Sequence, residues 1–391
     1  MTTSARPRLI YYTSGLWPCG VASYQRNVAQ AMNEFADVET VKLPADRIDG
    51  HNLRALFRQR RRYRDLAAQS AGYSAVIVDY TDTFWNGSRL GENLFPLFAR
   101  RLKSPAIVVL HERPGRVDPA DVEGSFPKKV MQRLTHLALA RWDTGTREYN
   151  TFIHMKLFGF AKHLVTHATR LADARSTDLP PARIHVLPTP AYPLPQPNLT
   201  NAEVDTRFGT QGKKVLVLLG FPQASKGFDR AITALPHLPG DVVIVQIGDA
   251  DRSRAAVELL QSQAVQLGVQ SRFLRTLYVS DAEMAAVLRR ADVALAPFRS
   301  VNQSSSLGHL IAAELPIVAS RIPNIEQLAT DGAGILFTDC DDPQLFAMAI
   351  LQILTRPETR KALCVKNAVY TRDHSFRTTA QRLVELATGP A

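Results

Sequence analysis

A glycine and a lysine six positions apart carry the clearest chemical signal in this chain. Val215-Leu216-Val217-Leu218-Leu219 is an apolar, β-branched run closed by Gly220. The loop Phe221-Pro222-Gln223-Ala224-Ser225 then delivers Lys226-Gly227 to the head of a helical pattern, Phe228, Ile232 and Leu235. The first run reads as a buried strand and the loop as a βα-turn. Ligands of open α/β sheets bind at such strand ends, where loop amides and a helix N-terminus face the crevice. A lysine there suits a phosphate or diphosphate, because it adds a point charge to an already positive helix end. The competing reading is an ordinary turn with an exposed, solvated lysine that contributes little to stability.

Three other segments could do chemistry. Pro105-Ala106-Ile107-Val108-Val109-Leu110-His111-Glu112 ends a strand on a histidine, whose ring nitrogens can bind a hydroxyl or a phosphate; a capping or partly buried histidine is the alternative. Asn302-Gln303-Ser304-Ser305-Ser306 opens a helix, so its serines are N-caps or anion ligands. Leu53 to Ala67 carries Arg58, Arg60, Arg61 and Arg62 around an apolar face of Leu53, Leu56, Phe57, Tyr63, Leu66 and Ala67. It reads either as a helix lying on an anionic membrane or as a solvated face packed on its own domain. Lys128, Lys129 and Arg133 could extend that patch.

The elements that position these residues alternate strand and helix throughout, which predicts parallel sheets with helices on both faces. Strands are expected at Arg8–Tyr12, Ala75–Asp79, Ala106–His111, His163–Thr166 and Ile184–Leu187, then at Val215–Leu219, Val242–Ile247, Val293–Ala296, Ile317–Ala319 and Gly334–Phe337. Prolines at 188, 190, 193, 195 and 197 separate the two sets, and such density suits a stiff linker. The expected division is a domain over 1–190, a linker over 191–205, a domain over 206–370 and a C-terminal helix over 371–391 that packs back on the first domain. A chain of 391 residues fits two such domains.

Composition narrows the class. The chain is 45% apolar and 21% charged, as in globular proteins, with no apolar run of membrane-spanning length and no signal-peptide pattern. Its three cysteines, Cys19, Cys340 and Cys364, form no disulfide or zinc pattern, which fits a reducing cytoplasm. The net charge of +11 is lopsided: residues 1–200 hold 27 Lys and Arg against 17 Asp and Glu, and residues 201–391 hold 20 against 19. With no zinc spacing or RNA-binding aromatics, nucleic acid is set aside. An anionic membrane or acidic lipid-linked substrate is the better partner for the basic half.

These motifs together resemble the GT-B glycosyltransferases, and more closely glycosyltransferase family 4, over essentially the whole chain. The resemblance implies an α/β fold of two doubly wound Rossmann-like domains facing a central cleft. It implies retaining transfer of a sugar from a nucleotide-diphosphate sugar, with no dedicated metal or other cofactor. The loop Trp17-Pro18-Cys19-Gly20-Val21 resembles the family's Gly-Gly loop, with Cys19 in place of the first glycine. His111 matches a strand-end histidine near the donor sugar, which makes it and Lys226 the catalytic candidates. Gly220 and Lys226 match Gly-Arg-x4-Lys-Gly, but Phe221 stands where the family has arginine. Arg299 and Arg321 are candidate replacements for that cation.

The family's paired glutamates fall on Val301 and His309, neither acidic. Their donor-binding role would pass to Ser304, Ser305, Ser306 and His309. Glu326 matches a recurring glutamate, as either a donor contact or a helix N-terminal acid. On the first domain, Tyr80, Asp82 and Trp85 are expected to face the acceptor. The expected activity is transfer to a lipid-linked or polysaccharide acceptor by a cytoplasmic protein, peripheral at the inner membrane face. The departures leave two alternatives: a GT-B protein that binds nucleotide sugar without efficient transfer, and a sugar-nucleotide epimerase.

Overall fold

The computed structural model describes residues 6–14, 20–44, 53–85, 94–111, 160–167, 179–248, 254–275, 279–301 and 303–390. Cys19, Glu112, Asn302, Lys128, Lys129 and Arg133 lie outside them, as does the side chain of Asp82. The chain divides into two units, one of residues 1–187 and 376–391 and the other of residues 188–375.

Unit 1 runs β1 (Arg8–Thr13), α1 (Gly20–Met32), β2 (Asp37–Lys42), α2 (Leu53–Ala68), β3 (Ala75–Tyr80), α3 (Asp82–Trp85), α4 (Phe95–Ala99), β4 (Ala106–Leu110), β5 (His163–Thr166) and β6 (Ile184–Val186). The strands form one sheet in the order β2-β1-β3-β4-β5-β6, parallel at every pairing. Every residue of β3 and β4 is buried, as expected for parallel strands covered on both faces. The sequence pattern overlooks β2, because this edge strand, Asp-Val-Glu-Thr-Val-Lys, has no buried residue and no apolar run.

Unit 2 runs α5 (Asn201–Phe208), β7 (Lys214–Leu219), α6 (Phe228–Ala234), β8 (Val242–Ile247), α7 (Arg254–Gln266), β9 (Phe273–Arg275), α8 (Asp281–Arg290), β10 (Val293–Ala296), α9 (Ser305–Ala312), β11 (Ile317–Ser320), α10 (Pro323–Thr330), β12 (Ile335–Thr338), α11 (Pro343–Thr355) and α12 (Pro357–Asp373). Its sheet order is β12-β11-β10-β7-β8-β9, again parallel throughout. Sequential strands run outward from β7 in one direction and return on its other side at β10. The switch point therefore lies at the carboxyl end of β7, where Gly220 sits.

The proline-rich stretch is not a free linker. Ala191 donates to the His374 carbonyl (2.8 Å), Tyr192 donates to Gly308 (3.2 Å), and the Tyr370 hydroxyl donates to Thr189 (2.8 Å). Residues 201–205 belong to α5, which Thr200 and Glu203 start with a capping box. The final helix, α13 (Phe376–Thr388), packs on α1 within unit 1.

Candidate functional site

In unit 2 the site is assembled around the end of β7. Gly220 takes φ +116°, and a Cβ there would stand 2.5 Å from Lys226 Nζ and 2.9 Å from Ser306 Oγ. The ammonium thus packs directly against the glycine, which is why no side chain fits. Lys226 Nζ donates to Ser306 Oγ at 2.9 Å and lies 5.3 Å from the centre of the Phe298 ring. Burial lowers its pKa to about 8. An exposed, solvated lysine is therefore the wrong description: the turn Ala224–Lys226 folds the side chain inward.

Neighbours fix this loop from three sides. Gly227 adopts φ +61°, and a Cβ there would collide with the Pro297 carbonyl oxygen. Gln246 Nε2 donates to the Gly220 carbonyl (3.0 Å), and Gly248 lets that carbonyl occupy space that its own Cβ would otherwise take. The Ser225 carbonyl accepts from the Arg299 amide (2.7 Å), and the Arg299 guanidinium donates to Ala224 (3.0 Å). A cation held this way needs little reorganisation when an anion arrives.

The serines divide the work. Ser304 is the N-cap of α9 and accepts from the Leu307 amide (3.3 Å), Ser306 is buried under Lys226, and Ser305 is half-buried in the first turn. His309 packs on Tyr192 with ring centres 4.9 Å apart. Its Nδ1 is buried and has no hydrogen-bond partner among the described residues, and burial lowers its pKa to about 4. The ring is therefore neutral near pH 7.

The two candidate replacement cations are already committed. Arg299 makes a bidentate pair with Asp229 (2.7 and 2.5 Å), which raises the pKa of the arginine and lowers that of Asp229. Arg321 pairs with Glu326 (3.1 Å) and stacks over Phe337 (4.6 Å). Both arginines line a cavity of about 660 Å³ with Phe298 and Phe337, to which Lys226 does not contribute. Glu326, expected at the donor or as a helix N-terminal acid, sits in the first turn of α10 and makes that ion pair.

In unit 1, β3 and β4 place Asp79 and His111 side by side at their carboxyl ends, and His111 Nε2 hydrogen-bonds Asp79 Oδ1. Both side chains are buried. Tyr24 on α1 lies edge-on to His111 (4.9 Å) and bonds His167 Nε2 at 2.8 Å. Gly20 is exposed as the first residue of α1. Tyr80 and Trp85, expected to face an acceptor, are instead fully buried in the aromatic core. Tyr80 packs on Phe95 (4.9 Å) and Trp85 on Phe95 and Phe98 (4.7 and 5.0 Å). Their large apolar area makes them better core fillers than surface contacts.

The basic helix α2 is anchored in unit 1 by part of its apolar face. Tyr63 and Ala67 of that face are buried in unit 1 and Leu66 is half-buried, while the side chains of Leu53 and Leu56 lie outside the described residues. Arg58, Arg61 and Arg62 are exposed and Arg60 half-buried, with Phe57 60% exposed beside them. The described part of the helix thus presents these arginines and Phe57 to the surface. Among the described residues, no helix is long and apolar enough to cross a membrane, and no cluster could hold a metal ion.

Asp79, Gln25, Gln246 and Phe298 are site residues that the sequence reading passed over. Two of them left a signal: Asp79 and Gln246 are lone polar residues in the apolar runs Ala-Val-Ile-Val-Asp-Tyr and Val-Val-Ile-Val-Gln-Ile.

With this geometry in hand, comparison with known proteins is decisive for the fold. A structure of Anabaena Alr3699/HepE in complex with UDP and glucose superposes with a TM-score of 0.65 at 14% identity, over 97% of this chain and 98% of that one. The fold is GT-B. WaaG, a glycosyltransferase involved in lipopolysaccharide biosynthesis, superposes on this chain with a TM-score of 0.61 at 15% identity, covering 98% of this chain and all of that one. Residues 213–356, the heart of unit 2, match the family described as Glycosyl transferases group 1. A D-inositol 3-phosphate glycosyltransferase of Xylanimonas cellulosilytica is 31% identical over 192 residues, 46% of this chain and 45% of that relative. The chain thus spans about half the length of the curated relatives it matches, and it resembles glycosyltransferase family 4.

Proposed function

We propose that this protein is a retaining glycosyltransferase that moves a sugar from a nucleotide-diphosphate donor to a lipid-linked or polysaccharide acceptor. The observation that carries the reading is the Lys226 ammonium held on Gly220 and Ser306 at the switch point of the unit 2 sheet. As the anomeric carbon–oxygen bond breaks, negative charge grows on the leaving diphosphate. Lys226 and the amides that open α9 stabilise it where it appears. The acceptor hydroxyl forms the new glycosidic bond, and its proton passes to the leaving phosphate, so nucleoside diphosphate departs. The reading assigns no metal or other cofactor, and transfer in the presence of EDTA is the expected result.

The relatives support the donor class, since Alr3699/HepE holds UDP and glucose. They bear on the acceptor in two ways: WaaG is involved in lipopolysaccharide biosynthesis, whereas the Xylanimonas relative carries an inositol phosphate name. The surplus of cations in residues 1–200 favours an acidic acceptor or an anionic membrane at the inner, cytoplasmic face. A second reading, a nucleotide-sugar binder with reduced transfer, draws on Phe221 and on the pairing of Arg299 and Arg321 with carboxylates. Incubation with UDP-glucose and candidate acceptors separates the two. Acceptor-dependent release of UDP supports transfer, and a thermal shift without turnover supports binding alone.

A further inference from the structure

We infer that Asp79 and Gln25 are positioning residues that fix which nitrogen of His111 carries its proton. This rests on the glycosyltransferase reading for its consequence, though not for its geometry. The Ser14 backbone N–H can only donate, and it lies 2.7 Å from Gln25 Oε1, so that side-chain atom is the amide oxygen. The other end of the amide is therefore the NH2 group, and Gln25 Nε2 donates to Asp79 Oδ2 at 3.0 Å. Asp79 is an acceptor at Oδ2, and its second oxygen, Oδ1, faces His111 Nε2.

With Asp79 in its carboxylate form, the buried Oδ1 takes its donor from the histidine ring, as Oδ2 takes Gln25. Nε2 of His111 therefore carries a proton whether the ring is neutral or charged. In the neutral ring the lone pair falls on Nδ1. The neutral imidazole accepts a hydrogen bond at Nδ1 and cannot donate one there. Any ligand group that meets Nδ1 must then have a proton to give, as a sugar hydroxyl has and a phosphate oxygen has not. The two candidate catalytic residues thus suit different groups, the Lys226 ammonium a diphosphate and the neutral His111 ring a hydroxyl. The second histidine at this end of the sheet is fixed in the same way but with the other tautomer. His167 Nδ1 faces the Leu187 carbonyl at 3.0 Å and must donate, which leaves Nε2 to accept from the Tyr24 hydroxyl.

This chain of donors and acceptors predicts a rescue that a merely structural ion pair would not show. In Asp79→Asn, the new amide must accept from His111 and so turns its NH2 toward the NH2 of Gln25, two donors face to face. Adding Gln25→Glu replaces that donor with a carboxylate, which still accepts from the Ser14 amide and now also accepts from the asparagine NH2 at position 79. The tautomer of His111 is read by long-range proton–nitrogen NMR on histidine-labelled full-length protein without substrate, with the signals assigned through His111→Gln. The expected result is a proton on Nε2 in the wild type, its loss or a tautomer mixture in Asp79→Asn, and its return in the double variant. Transfer from UDP-glucose should fall at least tenfold in kcat for Asp79→Asn and largely recover in the double variant. A wild-type ring protonated on Nδ1 alone, or a double variant no better than the single one in tautomer, overturns the inference. The NMR result stands whether or not the wild type transfers sugar, so failure of the activity reading is distinguished from failure of this one.

Discussion

Lys226 donates to Ser306 at 2.9 Å although eighty residues separate them, and that bond joins the loop after β7 to the first turn of α9. The two elements flank the switch point, so one hydrogen bond sets where an anion can be held between them. Removing the lysine should abolish most transfer while the fold survives. Lys226→Ala is expected to lower kcat/KM by roughly 10²–10³-fold, the usual cost of losing a preorganised charge partner. The melting temperature should change little, because a buried ammonium is costly to desolvate and its removal relieves that cost. Steady-state kinetics and thermal unfolding on the same preparation check both halves, and undiminished turnover would remove Lys226 from the mechanism.

The lowered pKa of Lys226 also makes donor binding pH-dependent. Its pKa is about 8 in the folded chain and ordinarily 10.5, so the empty site loses its charge as pH rises past about 8. A bound diphosphate favours the ammonium, so binding above that pH takes up a proton and weakens by up to about tenfold per pH unit. The sign for stability is opposite. Between about pH 8 and 10.5 the unfolded chain holds more protons at this residue, so this group makes the empty protein more stable as pH rises. Calorimetric titration with UDP across this range, in buffers of different ionisation enthalpy, reads the proton uptake directly.

Gly220 should tolerate no substitution. Its φ of +116° is strained for any L side chain, and the added methyl would fall 2.5 Å from the Lys226 ammonium. Gly220→Ala is therefore expected to destabilise unit 2 by about 1–3 kcal/mol and to displace the lysine. Denaturant unfolding and UDP affinity should both report it. An alanine variant that binds UDP as tightly as the wild type would mean that the ammonium does not face the ligand.

These relationships show which parts of the site could be read from the chain. Gly220, Lys226 and the helix after them lie within one short segment whose strand and turn signals are local, so both the element and its chemistry were legible. Arg299 and Asp229 are seventy positions apart, and nothing local says that the arginine is spent on that carboxylate. Tyr80 and Trp85 follow a strand end, where surface residues are common, yet the helix Phe95–Ala99 folds over them and takes them into the core. Periodicity reports which face of an element is apolar, but not which other element covers it.

Arg299 pairs with Asp229 and Arg321 with Glu326, so each candidate for the absent cation already has a carboxylate partner. Phe221→Arg should therefore strengthen UDP binding or raise turnover, by about tenfold where the new guanidinium reaches the diphosphate. Arg299→Ala should act differently: it keeps the backbone bond to Ser225 but removes the guanidinium bond to the Ala224 carbonyl, loosening the Ala224–Lys226 turn and raising KM. A harmful Phe221→Arg beside a harmless Arg299→Ala would place the diphosphate elsewhere.

The arginines of α2 offer a separate test, because their proposed partner is a surface and not a substrate. Tyr63 and Ala67 anchor the helix in unit 1, so the attraction at issue is that of its exposed arginines. Each cation close to an anionic bilayer contributes up to about 1 kcal/mol. Changing Arg58, Arg60, Arg61 and Arg62 to glutamine together should then weaken binding to phosphatidylserine vesicles by on the order of a hundredfold or more. Because the Debye length is about 8 Å at physiological ionic strength, the wild-type affinity should fall steeply with added salt, and the variant's should fall less. Transfer to a soluble acceptor should be unchanged, since none of these arginines is assigned to the donor or acceptor. Phe57, 60% exposed beside Arg58, is a large apolar group of α2 placed to add a salt-resistant component, which Phe57→Ser should remove. If the wild type ignores phosphatidylserine vesicles even at low salt, the arginines are a solvated helix face and the peripheral-membrane reading falls.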